Sequence, residues 1–361
     1  MRYHKIVLAL AGALCMLALG VRIARSQENA SSGTVPVSMV ITDQALNDTD
    51  EMSVLRAENL QVRQGRTPLK VDQLIPATGS NAALQLFILI DETTVPQGVG
   101  TNLNDLRDFI NAQPPSTLIG VGYMSNANVQ IVQNLTNDHA LAAKSIRLPR
   151  GTLSAMDSPY LSLISLLNGW PQPEQRIRRQ VLLLTDGIDR LRGERNVPTP
   201  TRSRGALGPG ITPTPSRGGR AAAPGSTAFT ATPPGTMPTI SIDADRTSNL
   251  AQRLGVIVHS IYVTGVGRLG RNAWEMQLGQ AGIAKIADET GGEYFSLGTQ
   301  NPISFQPFLG RLQRILENQY FLVFQITPRR NEGLQRVNIS TDLPNFEISA
   351  ANNVWVPAAA R

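Results

Sequence analysis

The sequence predicts an α/β protein built on a doubly wound, mostly parallel sheet, with flanking β-strands that form a small β-sandwich. Three apolar segments without alternation carry this prediction, at residues 86–90, 181–184 and 256–263. A strand that is apolar at every position is typical of a parallel sheet covered by helices on both faces. Helical patterns lie between these segments, and such alternation is the pattern of a doubly wound sheet.

The first 26 residues have the pattern of a secretory signal peptide. Arg2 and Lys5 precede an apolar run over residues 6–21, and Ala24 and Ser26 are small residues at the −3 and −1 positions of a cleavage site. We therefore expect an exported protein, located in the periplasm, in the cell envelope or outside the cell. Membrane attachment is expected only if this segment is retained as an anchor.

Charge and cysteine content exclude several classes of function. Removing residues 1–26 leaves 29 basic and 27 acidic side chains, so the net charge falls from +6 to +2. Nucleic-acid binding would need a clustered basic face, which the sequence lacks. The single cysteine, Cys15, lies in the signal segment, so the mature chain has no disulfide and no cysteine ligand for a metal.

Short β patterns flank the predicted sheet on both sides. The N-terminal β segment, 34–77, contains a predicted strand and a hairpin around Gly65. The C-terminal β segment, 319–357, contains four predicted strands. Each segment alone would leave strand faces and edges uncovered, so we expect the two to meet in one small sandwich.

Between the flanks, residues 84–318 alternate between strand and helix patterns. The predicted strands cover residues 84–91, 117–124, 129–132, 181–184, 256–263 and 293–296. The predicted helices cover residues 102–111, 138–146, 156–167, 243–254, 281–290 and 303–317. Residues 191–240 interrupt this pattern with a segment rich in Pro, Gly, Thr and Arg, which predicts a disordered insertion.

Polar residues follow the first strand of the predicted sheet. Asp91, Thr93 and Thr94 come directly after the apolar run, and ligands bind beyond the carboxyl ends of strands in open α/β sheets. Carboxylate and hydroxyl oxygens are the ligands that Mg²⁺ and Ca²⁺ take. The alternative is that Asp91 and the equivalent Asp186 accept hydrogen bonds from nearby helix N-termini.

The order of these motifs resembles a von Willebrand factor type A (VWA) domain. The motifs are Asp91-x-Thr93, Gly151-Thr152, Thr185-Asp186-Gly187, the helix end at residues 286–292, and Tyr294-Phe295. The flanks at residues 40–43, 60–62 and 354–356 are similar to bacterial proteins described as having an Acidobacteria-type VWFA-related domain.

The resemblance implies a metal-ion-dependent adhesion site held by Asp91, Thr93, Thr152 and Asp186. The implied ion is Mg²⁺, with Ca²⁺ and Mn²⁺ as alternatives, and the implied role is capture of an acidic side chain on a protein partner. Val95 departs from the family pattern, because a second hydroxyl is expected at that position.

Other motifs point to structure rather than chemistry. The G-x-G-x-x-G at residues 265–270 follows a late strand, whereas a dinucleotide site would follow the first strand. His139 and His259 share no ligand spacing, so we interpret both as structural.

Three functions remain open from the sequence. An adhesion-type module that binds a partner through the strand ends is favoured. A metal-free scaffold of the cell envelope is the alternative. A hydrolase that activates water on the same ion is less favoured, because no general base with a suitable neighbour is visible, and we expect no enzymatic activity.

Overall fold

The computed structural model describes residues 33–44, 55–170, 177–193, 240–266, 273–298, 300–344 and 346–359. The predicted signal peptide lies outside these residues, as does the predicted insertion except for its two ends. None of the described helices is long and apolar enough to cross a membrane.

The described residues form the following strands and helices. The strands are β1 (Val35–Asp43), β2 (Leu60–Gln64), β3 (Thr67–Leu69), β4 (Val71–Pro76), β5 (Leu84–Asp91), β6 (Thr117–Ser125), β7 (Asn128–Thr136), β8 (Arg178–Thr185), β9 (Val256–Tyr262), β10 (Tyr294–Phe295), β11 (Gln319–Ile326), β12 (Gly333–Arg336), β13 (Asn338–Thr341), β14 (Ile348–Ala350) and β15 (Asn353–Val356). The helices are α1 (Pro96–Gly100), α2 (Leu103–Asn111), α3 (His139–Ser145), α4 (Pro159–Gly169), α5 (Arg190–Gly193), α6 (Ile242–Leu254), α7 (Ala273–Thr290) and α8 (Gln306–Glu317).

A six-stranded sheet forms the centre of the fold, in the order β10-β9-β8-β5-β6-β7. Every neighbouring pair is parallel except β6 and β7, which are antiparallel. The predicted doubly wound, mostly parallel sheet is thus confirmed. Strand β5 lies between β6 and β8, so its carboxyl end faces the crevice beside two other strand ends.

Burial on both faces explains the unbroken apolar run of β5. Leu86, Ile88 and Ile90 pack into one hydrophobic cluster with side chains of α2, α3 and α8. Phe87 and Leu89 point to the opposite face, into a second cluster with side chains of α4, α6 and α7. Since successive side chains of a strand alternate between faces, a strand covered on both sides must be apolar throughout.

The two flanks meet, as predicted. Strand β1 pairs antiparallel with β11 from Val35 opposite Ile326 to Thr42 opposite Gln319. The N-terminal β2 likewise pairs with the C-terminal β13. Side chains from both flanks share a third hydrophobic cluster, so each flank covers the apolar face that the other would leave exposed.

Three helix starts differ from the sequence prediction by three residues or more. Helix α8 begins at Gln306 rather than at residue 303. Helix α7 begins at Ala273 rather than at residue 281 and continues through Gly279 and Gly282, although glycine has a low helix propensity. Helix α4 begins at Pro159 rather than at residue 156. Ser158 caps this start, because its hydroxyl accepts a hydrogen bond from the backbone N–H of Leu161.

Candidate functional site

Asp91 ends β5 as a buried carboxylate whose two oxygens both accept hydrogen bonds. The backbone N–H of Thr93 donates to Oδ1 at 2.9 Å, and the hydroxyl of Thr185 donates to Oδ2 at 2.7 Å. Only 2% of Asp91 is exposed. Because Thr185 is the last residue of β8, this contact joins the ends of two neighbouring parallel strands.

Asp186 follows Thr185 and is paired with an arginine. Its Oδ2 lies 2.7 Å from Nη2 of Arg190, and both side chains are 3% exposed. Its Oδ1 accepts a hydrogen bond from the backbone N–H of Ile188 at 3.0 Å. The sequence prediction included Asp186 but missed Arg190, although the spacing of four residues was visible in the sequence.

The segment after β9 crosses the ends of β8 and β5. The backbone N–H of Val95 donates to the carbonyl of Thr264 at 2.8 Å, and that of Val266 donates to the carbonyl of Thr93 at 2.7 Å. Gly265 lies so close to the site that an added Cβ would be 2.0 Å from Oδ2 of Asp186. Any larger residue at position 265 would therefore clash with the Asp186 carboxylate.

The hydroxyls after β5 have different roles. Thr94 donates its hydroxyl to the backbone carbonyl of Asp91 at 2.7 Å, so this hydroxyl serves the turn rather than a ligand. Thr93 Oγ1 is fully buried and makes no hydrogen bond within the described structure. Buried hydroxyls are normally satisfied, so Thr93 Oγ1 is an oxygen available within the site.

Thr152 reaches the strand ends through its backbone. The N–H groups of Gly151 and Thr152 donate to the carbonyl of Glu92 at 2.9 and 3.2 Å, whereas the side chain of Thr152 faces the surface. The structure therefore brings Asp91, Thr93 and Asp186 together in a buried cluster and leaves Thr152 exposed beside them.

Glu92 holds the loop that carries Thr152, a role that no local pattern in the sequence indicates. Its carboxylate is 3% exposed and lies 2.5 Å from Nη2 of Arg147. The other oxygen accepts a hydrogen bond from the backbone N–H of Arg150 at 2.6 Å. The guanidinium of Arg147 also lies over the ring of Tyr123, 3.7 Å from its centroid.

Comparison with solved structures found several that are similar to this chain. An aerotolerance-related membrane protein from Bacteroides fragilis has a TM-score of 0.38 at 10% identity, over 65% of this chain and 98% of that one. A von Willebrand factor type A structure from Catenulispora acidiphila has a TM-score of 0.37 at 11% identity, over 91% and 75%. Proximal thread matrix protein 1 from the mussel byssus, whose adhesion-site motif is occupied by zinc, has a TM-score of 0.38 at 11% identity, over 68% and 48%. No family-level sequence model and no curated protein matches the chain.

The strand order supports the family resemblance at the level of the fold. The sheet has five parallel strands and one antiparallel edge strand, and Asp91 and Asp186 lie at the ends of neighbouring strands. The described residues thus have the strand and helix order that the resemblance to a VWA domain implies, and the domain that they form is here called VWA-like for its fold. Its strand-end face is the region where the resemblance places a metal.

The strand-end site of the VWA-like domain does not fit a divalent ion while Arg190 is in place. Asp91, Thr93 and Asp186 supply oxygen atoms of the kind that hard cations bind. However, the guanidinium of Arg190 already neutralises the charge of Asp186. A second cation beside it would be repelled in a buried environment. Among the described residues, no three His, Cys, Asp or Glu side chains are grouped to hold a metal.

The electrostatics of this cluster follow from two carboxylates sharing one guanidinium. Burial and the charge of Asp186 raise the pKa of Asp91 from 3.8 to about 6, although Arg190 acts in the opposite direction. Burial alone would lower the pKa of Arg190, but the charges of Asp186 and Asp91 outweigh it and raise that pKa. The guanidinium of Arg190 therefore stays charged beside these carboxylates.

His139 and His259 occupy structural positions. The ring of His259 accepts a hydrogen bond from the backbone N–H of Glu293 at 3.1 Å and contacts Oε1 of Gln180 at 2.8 Å. Burial lowers the pKa of His259 to about 3, so the ring is neutral and donates through Nε2. His139 contacts the carbonyl of Thr117 at 2.9 Å.

Only part of the G-x-G-x-x-G motif can be described. Gly265 pairs with Thr94 in the segment that crosses the strand ends. Residues 267–270 lie outside the described part of the chain.

Proposed function

We propose that this protein is an exported protein-binding module whose VWA-like domain holds its partner at the strand-end face without a bound metal ion. The observation that carries the proposal is the buried ion pair between Asp186 and Arg190. The carboxylate that would coordinate a metal is neutralised from within the chain. Contact with a partner then falls to the surface around the site.

The loop at residues 146–158, here called the rim loop, offers a suitable contact surface. Leu148, Leu153 and Met156 are about half exposed, at 47%, 46% and 53%. Single exposed apolar residues are common on protein surfaces, but three in one loop beside a site offer apolar surface that a partner can cover. Glu92 anchors this loop to the end of β5, so these residues are carried on a fixed base.

Charge on the rim loop favours an acidic partner. The side chain of Arg150 is 63% exposed, and its Nε lies 3.8 Å from Oε1 of Glu92. Glu92 is largely neutralised by Arg147, so Arg150 retains charge to offer to a partner. Arginine beside apolar side chains is a common composition for the centre of a protein interface.

A metal-mediated variant of this function requires a different state of the site. A partner carboxylate could complete the coordination of a divalent ion on Asp91 and Asp186 only after Arg190 leaves Asp186. The ion pair is buried, so this change would leave the charge of Arg190 buried without a partner or would require the side chain to move into solvent. The geometry therefore supports metal-free binding better.

Co-precipitation from an envelope fraction of the source organism, with the tagged mature chain as bait, tests the proposal. Variants Arg150→Glu and Leu153→Asp change the rim loop. Arg66→Glu and Ile131→Asp change exposed residues elsewhere and serve as matched controls. We expect the wild type and the control variants to retain a partner that both rim variants lose. The result should be the same in the presence and in the absence of a chelator.

Two outcomes would overturn this function. Loss of the partner on adding a chelator would establish metal-mediated capture instead. Equal retention by rim and control variants would assign binding to other surfaces, as expected for a scaffold.

A further inference from the structure

We propose that the guanidinium of Arg190 is the resident cation of the strand-end site and is the group that keeps a divalent metal ion out. Without that charge, Asp91, Thr93 and Asp186 form a divalent-cation site. This inference concerns the site itself and does not depend on the existence or identity of a protein partner.

Arg190 is held at its place by both backbone and side chain. Its backbone N–H donates to the carbonyl of Asp157 at 2.9 Å, and the N–H of Leu191 donates to the same carbonyl at 3.1 Å. The carboxylate of Asp157 is itself fixed by the backbone N–H groups of Asn126 and Ser154, at 2.8 and 2.6 Å. The start of α5 is thus anchored independently of the ion pair, and the guanidinium is delivered to Asp186 from a fixed base.

Gly265 lies close to the guanidinium of Arg190 and forms one side of the space that it occupies. A Cβ on Gly265 would lie 2.9 Å from Nη2 of Arg190 and 2.0 Å from Oδ2 of Asp186. The absence of a side chain at residue 265 leaves space for a cation beside Asp186. In this structure that space is taken by the guanidinium.

The charge balance of the cluster explains why one arginine has a large effect. With Arg190 present, two carboxylates face one positive charge, and a divalent ion would have to bind beside a guanidinium in a buried site. With Arg190 neutralised, two buried carboxylates would face each other without compensation. A pair of buried carboxylates is costly unless it is paired with a cation or protonated.

Thr93 supplies an independent indication of a ligand position. Its hydroxyl oxygen is fully buried and has no hydrogen-bond partner in the described structure, whereas its backbone N–H donates to Oδ1 of Asp91 at 2.9 Å. A hydroxyl oxygen next to a carboxylate is the kind of hard ligand that Mg²⁺ and Mn²⁺ take. With waters in the remaining positions, the three side chains suffice for a weak site.

Titration calorimetry with Mn²⁺ and Mg²⁺ on the mature protein tests the inference. The variant Arg190→Met removes the charge, and Arg190→Lys retains a charge at the same position. Arg246→Met is the control, because Arg246 also pairs with a buried carboxylate, at 3.1 Å from Asp243, although its own side chain is 58% exposed.

We expect no specific binding to the wild type, Arg190→Lys or Arg246→Met. Arg190→Met should bind Mn²⁺ specifically, with an affinity on the order of a hundredfold or more above the detection limit that the wild type does not reach, since a like charge about 4 Å away is removed. Adding Asp186→Asn to Arg190→Met should abolish this binding.

Thermal unfolding gives a second readout. Mn²⁺ should raise the Tm of Arg190→Met and leave that of the wild type unchanged, because only a ligand that binds the folded state stabilises it. If Arg190→Met does not fold alone, Mn²⁺ should restore folding of this variant or of Arg190→Gln. The inference is overturned if the wild type binds Mn²⁺ through Asp91, or if both neutral variants neither bind Mn²⁺ nor gain stability from it.

Discussion

Thr185 donates its hydroxyl to Oδ2 of Asp91 at 2.7 Å and accepts a hydrogen bond from the backbone N–H of Gly187 at 3.1 Å. One fully buried side chain thereby ties the end of β8 to the end of β5 and also fixes the turn that positions Asp186. The strand-end site depends on this connection before any ligand or partner is considered.

Replacing Thr185 by Val should lower the free energy of unfolding by about 2 kcal/mol, because a carboxylate oxygen and an N–H group would remain buried without a partner. Thr185→Ser keeps the hydroxyl and should cost clearly less. Urea denaturation of the three proteins measures both effects. Equal losses for Val and Ser would mean that the methyl group, not the hydroxyl, stabilises the strand ends.

Asp91 makes stability depend on pH. Its pKa is raised from 3.8 to about 6 in the folded state, so the folded protein binds a proton more tightly than the unfolded chain between these values. Stability from this group is therefore present at low pH and is lost as pH rises from about 4 to about 6, by about 3 kcal/mol in total.

The variant Asp91→Asn isolates this effect. An amide imitates the protonated carboxyl group, so the stability of the variant relative to wild type should rise between pH 4 and pH 6 and then stay constant. His259 contributes the opposite trend, because its pKa is lowered to about 3 and its contribution falls as pH drops below about 6.5. That contribution is common to both proteins and cancels in the difference. A difference that does not change with pH would contradict the assignment.

Glu92 should control the opening of the rim loop. Glu92→Gln removes the charge that pairs with Arg147 and weakens the acceptor for the N–H of Arg150. Hydrogen exchange at the backbone amides of Arg150, Gly151 and Thr152 should then become roughly tenfold faster, which corresponds to about 1.4 kcal/mol of local stability.

The exposed pair of Lys70 and Asp72 provides the control for Glu92. The side chain of Lys70 is 80% exposed, so Asp72→Asn should leave exchange in the rim loop unchanged. Unchanged exchange in Glu92→Gln would show that the backbone contacts to the Glu92 carbonyl hold the loop without the carboxylate.

Much of the fold is encoded locally and could be predicted from the sequence. The apolar runs of β5, β8 and β9 are long enough to identify buried parallel strands, and glycine ends α7 at Gly291, with a φ of 77°. The first turns of α7 escaped prediction, because Gly279 and Gly282 lower the local helix propensity at the point where the predicted helix began.

The site could be predicted only in part. Asp91 and Thr93 could be singled out because they come at the end of an apolar strand, and Asp186 because the family resemblance places an aspartate there; the structure brings the three side chains close together. Glu92 and Arg147 are 55 positions apart, and no local pattern shows that they pair. Arg190 lies at the start of a segment with a disordered composition, so the composition concealed a residue whose side chain is 3% exposed.

Gly187 should be hard to replace, because both its backbone conformation and its neighbours require a glycine. Its φ is +71°, and an added Cβ would lie 2.3 Å from the carbonyl oxygen of Gly279 in α7. Gly65 has a similar φ of +60° but open space around the Cβ position, so it separates the backbone cost from the steric cost. We expect Gly65→Ala to cost about 1 kcal/mol. Gly187→Ala should cost about 3 kcal/mol, because α7 or the turn after β8 must also move. Thermal and urea unfolding of the two variants measure these losses of stability. Equal losses would mean that α7 can move away from the added methyl group without a loss of stability.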